Sequence, residues 1–209
     1  MGHTDSAGGI PPHDRQRQLA ADRAIVKPRQ LAHVVRRTAR LDEMVRWYCT
    51  VLGAEVVHAD AMLAFLTYDD EHHRIAIACI PGLEAPQPMA AGTDHIAFTY
   101  ADFGDLLHTY LRLKAAGIEP YWCINHGPTT SMYYKDPDGS RVELQVDNMP
   151  SAQAIDAWMR SGEFAANPIG VIVDPEDLVV RYAAGEPLAT LAARPPLPAG
   201  KGPFDMLRF

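Results

Sequence analysis

The chain has 209 residues, 47% hydrophobic and 22% charged, with a formal net charge of −7. This is the make-up of a globular protein with one large core or two small modules, and its acidity excludes nucleic acid and anionic membranes as partners. Apolar runs are strand-sized, so no transmembrane helix is expected. The N-terminal MGHTDSAGGIPPHDRQRQ lacks a hydrophobic signal core, and Cys49, Cys79 and Cys123 are an odd, widely spaced set. A reduced, cytoplasmic protein is expected, with neither a disulfide frame nor a zinc site.

Residues 1–28 are rich in Gly, Pro, Ala and charge, and read as an arm, with a short surface helix around Arg15–Ala24 as the alternative. From Gln30 the pattern sharpens. Leu31–Arg36 reads as a strand. Leu41, Met44, Val45, Tyr48, Val51 and Leu52 recur at helical spacing, and Gly53 fits the left-handed residue that ends a helix. Ala54–His58, Met62–Tyr68 and His73–Ile80 follow as strands, so residues 29–82 form a first β-α-β-β-β module. Proline and glycine punctuate a linker from Pro81 to Thr93. The pattern then restarts: a strand over Asp94–Tyr100, a helix capped by Asp102 and ended by Gly117, and strands over Glu119–Ile124, Ser131–Asp136 and Arg141–Asp147. Residues 83–149 thus hold the linker and a second β-α-β-β-β module. Beyond Pro150, Ser151–Arg160 and Pro175–Ala184 read as helices and the tail as Pro-rich loop. Residues 150–209 are expected to be a packing or oligomerisation extension.

The two modules form an internal repeat. His33 in LAHVV and His95 in DHIAF occupy the same place in each. Aligning the last strands sets Arg74-Ile75-Ala76 against Arg141-Val142-Glu143. Glu143 lies between Val142 and Leu144, and a carboxylate among apolar neighbours is costly to bury without a charged or hydrogen-bonding partner. Each of the three residues alone has a bland reading: a half-buried histidine, or a carboxylate on a solvated strand face. Together they make two imidazoles and one carboxylate with no thiolate nearby, the donor set of a facial metal triad with open positions. Ala76 leaves the first module without the corresponding carboxylate, which disfavours a site with four protein donors. The turn Asp136-Pro137-Asp138-Gly139 is read as purely structural. Trp122 and Phe65 are read as core packing, with a pocket wall as the alternative.

Residues 30–148 resemble the vicinal oxygen chelate superfamily, and within it the type I extradiol ring-cleavage dioxygenases. The resemblance rests on His33, His95 and Glu143 in order and spacing, on Tyr133 ten residues before the glutamate, on His73 in EHHRIAIA, and on His126-Gly127. It implies an α+β fold of paired βαβββ modules forming a half-open mixed β-barrel. It implies Fe(II), with Mn(II) as the alternative, held by His33, His95 and Glu143. His73 takes the acid/base role by the resemblance, while Tyr133 and His126 hydrogen-bond the substrate. The implied reaction cleaves the ring of a catecholic diol with O2, giving a semialdehyde or keto acid. Partners are then a small aromatic diol and O2, with a homo-oligomer expected from the apolar extension. The competing readings are another metalloenzyme of the superfamily (isomerase, epimerase or thiol transferase) and a non-catalytic binding protein.

Overall fold

The computed structural model describes residues 25–84, 87 and 91–208; the helix considered around Arg15–Ala24 lies outside them. The β-α-β-β-β order occurs twice. The first module runs β1 (Val34–Thr38), α1 (Leu41–Leu52), β2 (Glu55–Ala59), β3 (Leu63–Thr67) and β4 (Ile75–Cys79). The second runs β5 (His95–Thr99), α2 (Phe103–Ala115), β6 (Trp122–Asn125), β7 (Thr129–Lys135) and β8 (Arg141–Asp147). In α1, Met44, Tyr48 and Val51 share the buried face at helical spacing, and Gly53 closes the helix at φ 64°. In α2 the Asp102 carboxylate accepts the Asp105 N–H at the exposed N-terminal turn.

The strands form two open mixed sheets, β1-β4-β3-β2 and β5-β8-β7-β6-β9, where β9 is Val171–Ile172. In each module the first strand runs parallel to the last and lies at a sheet edge. Val35 pairs with Ala76 and Ala97 with Glu143, which is the register the repeat alignment calls for.

Strand alternation divides each sheet into two faces. One face is covered by its helix: Ile75, Ile77, Ala64 and Leu66 in the first sheet, and Val142, Leu144, Met132 and Tyr134 in the second, join α1 and α2 in one continuous core. The halves of the chain are therefore joined on their helix-covered sides. Three polar contacts reinforce the joint. The Arg36 guanidinium pairs with Asp136 at 3.0 Å, the Tyr48 hydroxyl donates to the same carboxylate, and Arg112 donates to the Val51 carbonyl at 3.2 Å. The Asp136 carboxylate also accepts the backbone N–H groups of Asp138 and Ser140, so the turn read as structural is an anchor between modules.

The C-terminal extension contains α3 (Ala152–Arg160), α4 (Glu163–Ala166), β9, α5 (Pro175–Ala183), α6 (Leu188–Leu191) and a 3-10 turn over Pro203–Met206. Ser151 and Asp174 cap α3 and α5, with Pro175 at the start of α5. β9 adds to β6 as an edge strand. Two residues are too short for any periodicity, so β9 was not expected from the sequence. Among the described residues no helix is long and apolar enough to cross a membrane.

Candidate active site

The open face of the second sheet carries four of the six singled-out residues. Glu143 is only 4% exposed. Its Oε2 stands 3.0 Å from Nε2 of His95, whose Nδ1 lies 2.7 Å from Asp94. Tyr133 is the cross-strand partner of Glu143 on β7, and its hydroxyl bonds both to that carboxylate and to Nε2 of His126, the latter at 3.0 Å. Burial alone would raise the Glu143 pKa, but hydrogen bonds from His95, Ser131 and Tyr133 outweigh it and hold the carboxyl below its ordinary range. The hydrogen bond to Glu143, opposed by burial, pushes His95 up to about 9. With carboxylates on both ring nitrogens, His95 is the imidazolium partner of an ion pair in the metal-free protein. Burial, then the Glu143 charge, raises the Tyr133 phenol.

His126 owes its place to the extension. The loop Asn167-Pro168-Ile169-Gly170 brings the Ile169 carbonyl onto Nδ1 of His126. A carbonyl can only accept, so Nδ1 carries a proton there. When neutral, His126 then accepts the Tyr133 proton at Nε2. When it is charged, Nε2 donates and Tyr133 turns its own proton to Glu143. With Ile169 fixing the ring, His126, Tyr133 and Glu143 thus form a path along which one proton can shift. Burial lowers the His126 pKa, partly offset by the Ile169 carbonyl.

The extension is braced beside this path. Arg194 donates to the Asn167 carbonyl at 2.9 Å and lies over the Trp158 ring. Gly127, at φ 102°, leaves room for Trp158, which a Cβ would meet at 2.4 Å. Met206, Leu197, Leu207 and Ile169 pack around Trp122 and Tyr133. The Trp122 ring stacks on Tyr133 at 4.7 Å, so it helps form the site wall as well as a packed cluster. The sequence reads the extension as a packing or oligomerisation element; its contribution here is a backbone carbonyl, which no side-chain motif announces.

The other two residues lie on the first sheet. His33, just before β1, and His73, just before β4, have ring centroids 4.3 Å apart. His73 stacks on Phe65 at 4.6 Å, and Phe65 lies 5.6 Å from His58. This makes an aromatic row across the open face of the sheet. Phe65 was read as core packing; it belongs to this row. Burial, then His33 and His72, lowers the His73 pKa.

Two imidazoles and a carboxylate suit Fe(II) or Mn(II) in type. Their placement in one chain does not. His95 and Glu143 converge, whereas among the described residues no three His, Cys, Asp or Glu side chains lie close enough to hold a metal ion. The expected triad of His33, His95 and Glu143 is therefore not assembled within a single chain. The reason is the joint between the modules: both open faces turn away from the core that the two helices share.

The comparisons agree with the fold. The family described as the glyoxalase/bleomycin resistance protein/dioxygenase superfamily matches residues 30–144. Biphenyl-2,3-diol 1,2-dioxygenase 2 of Rhodococcus globerulus is 48% identical over 160 residues, 76% of this chain and 84% of the relative. Biphenyl-2,3-diol 1,2-dioxygenase 3 of the same organism is 44% identical over 171 residues, 81% of this chain and 90% of the relative. Both alignments are longer than the paired modules, so they include residues outside them. Among solved structures, a glyoxylase/bleomycin resistance protein/dioxygenase domain from Frankia sp. EAN1pec has a TM-score of 0.50 at 19% identity, covering 58% of this chain and 99% of that one. The chain belongs to the glyoxalase/bleomycin resistance protein/dioxygenase superfamily and is related within it to the biphenyl-2,3-diol 1,2-dioxygenases.

Proposed function

We propose that the protein is an extradiol dioxygenase that opens the ring of a catecholic diol with O2 at an Fe(II) centre, Mn(II) being the alternative metal. The observation that carries this reading is the hydrogen-bonded line His95, Glu143, Tyr133, His126 on an open sheet face, in a chain 48% identical to a biphenyl-2,3-diol dioxygenase. In this reading His33, His95 and Glu143, which the chain does not gather at one point, would be the metal donors, and the metal would supply the redox coupling between diol and dioxygen.

The remaining groups handle protons and shape. The Tyr133 hydroxyl and Nε2 of His126 meet a diol oxygen and can receive or return its proton, because their own bond switches direction with the charge on His126. Trp122 and Met206 pack against Tyr133 and limit water there. His73 is the acid/base assigned by resemblance, and its lowered pKa keeps it a proton acceptor at neutral pH. Ala76, paired with Val35 and carrying no donor group, favours three protein donors over the four of an isomerase-type site.

The test is to load the protein with Fe(II) without oxygen, add a panel of catechols and 2,3-dihydroxybiphenyl, and admit air. Oxygen uptake with a yellow ring-opened product is expected. Iron-loaded protein that consumes no oxygen with any diol refutes the reading.

A further inference from the structure

The C-terminal extension is not bound evenly to the rest of the chain. Its α5 and α6 each set a leucine, Leu178 and Leu191, into the common core. The α3–α4 hairpin does not. Neither helix holds a buried residue, and the two pack mainly on each other. Ile155, Trp158 and Met159 share one stripe of α3 at helical spacing, yet Met159 is exposed, as is Phe164 on α4. A helix of nine residues is marginal on its own, so a stripe only partly covered leaves this hairpin weakly held.

The two ends of the hairpin are fixed. The Asn148 side chain accepts the Thr130 hydroxyl at 2.8 Å and donates to the Asn125 side chain at 3.2 Å and to the Gly127 carbonyl at 2.9 Å. Its backbone N–H bonds the Pro128 carbonyl. Asn167 is buried; its side chain accepts the N–H groups of Ile169 and Gly170 and donates to the Gly170 carbonyl. Between these posts the strongest anchor is Trp158. Its ring lies so close to Gly127 that a Cβ there would come within 2.4 Å. The Arg194 guanidinium stands 5.0 Å from the ring centre and donates to the carbonyls of Glu163 at 3.1 Å and Asn167 at 2.9 Å. Arg194 also meets the Glu163 carboxylate at 3.2 Å, but that carboxylate is exposed, so the ion pair adds little.

From two fixed ends, a partly covered middle and one aromatic seat, we infer that residues 149–166 form a flap. It swings out as a unit between Asn148 and Asn167 when Trp158 leaves its seat, while the paired modules and the rest of the extension stay folded. Trp158 and Arg194 are its latch. Opening bares Gly127 at the corner of the second sheet, so the flap sets how accessible that corner is. The inference rests on packing alone and holds whatever reaction the sheet carries.

Hydrogen exchange of the whole protein, read by mass spectrometry across a urea series below the unfolding transition, tests this. In the wild type the amides of α3 and α4 are expected to share one opening, about a hundredfold or more frequent than that of β7 and β8, and to respond weakly to urea, as a small local opening does. Trp158→Ala is expected to speed their exchange about tenfold further and leave β7 and β8 unchanged, with Trp158→Phe in between. Wild-type α3 and α4 that match β7 and β8 in rate and urea response overturn the inference, because the hairpin then opens only with the whole protein. Amides that exchange one by one with no shared opening overturn it too, as does a Trp158→Ala variant whose α3–α4 exchange is unchanged or whose β7 and β8 speed up equally. Where a variant fails to fold, the wild-type urea series decides alone.

Discussion

His126 and Ile169 are forty-three residues apart in sequence, yet the carbonyl of one holds the imidazole of the other in a single orientation. The contact joins the second module to the extension that follows it, and it decides which ring nitrogen of His126 faces Tyr133. A path for one proton therefore depends on a backbone turn outside the paired modules.

Gly170 is the tightest point of that turn. It sits at φ 116°, and a Cβ there would lie 2.4 Å from the Asn125 carbonyl oxygen and 2.8 Å from the Cα of His126. Gly170→Ala is expected to cost about 2–3 kcal/mol of stability through backbone strain and collision. It is also expected to lower diol-cleavage turnover about tenfold or more, because His126 moves with its support. Thermal denaturation and steady-state kinetics check both. Unchanged turnover would show that the loop does not position His126.

Tyr133 bonds to both Glu143 and His126, so removing its hydroxyl cuts the proton path but leaves the ring packed on Trp122. Tyr133→Phe is expected to keep the fold and the metal while reducing kcat by about 10–100-fold. Metal content measured alongside kcat separates this from a binding defect. Equal loss of both would make Tyr133 a scaffold residue.

Asp136 is a buried charge with the Arg36 guanidinium, the Tyr48 hydroxyl and two backbone N–H groups around it. Asp136→Ala leaves Arg36 half-buried without that partner and is expected to cost about 3–5 kcal/mol in urea unfolding. Adding Arg36→Met should recover part of the loss, since the stranded charge goes while the turn stays weakened. A double variant no better than the single would rule out the stranded charge as the cause.

The metal-free protein has a pH signature. His95 is raised from 6.5 to about 9, so its stabilisation is complete below pH 6.5 and is lost as pH rises through 9. Glu143 is lowered from 4.5, so its share is present above pH 4.5 and is lost on further acidification. Stability from this pair is therefore greatest between pH 4.5 and 6.5 and falls by about 1–2 kcal/mol towards pH 9, allowing for solvent screening of the half-exposed ring. Glu143→Gln should flatten the alkaline fall. Melting temperatures of chelator-treated protein across this range give the answer, and a wild-type curve flat from pH 6.5 to 9 would contradict the pairing. With His95 as a donor, as proposed, metal uptake would displace its proton, and affinity should rise with pH over the same interval.

The repeat and the two helices with their glycine ends were legible because local periodicity and turn chemistry encode them; the β1–β4 and β5–β8 pairings join strands distant in sequence and leave no local trace. Glu143 was legible as a candidate donor through the repeat, with a solvated strand face as the alternative; the structure buries it on the face opposite Val142 and Leu144 and supplies its partners. The position of His33 relative to Glu143 was not. Symmetry between modules says that two histidines are equivalent, not that they meet; the meeting depends on how α1 and α2 pack. The Asp136–Arg36 pair spans one hundred residues and leaves no local trace beyond a turn that reads as structural. Ile169 was invisible for another reason: its contribution is a carbonyl that any residue type could provide. Trp122 and Phe65 were read as core packing because an aromatic on a strand packs either way, and only the sheet face tells which.

The most direct test of the proposed activity is the fate of dioxygen. Fe(II)-loaded protein is given 2,3-dihydroxybiphenyl and isotopically labelled O2, and the ring-opened product is weighed by mass spectrometry. The account predicts that both labelled oxygen atoms enter the product, and that Glu143→Ala abolishes the incorporation. An iron-loaded protein that turns over the diol without incorporating label would contradict it.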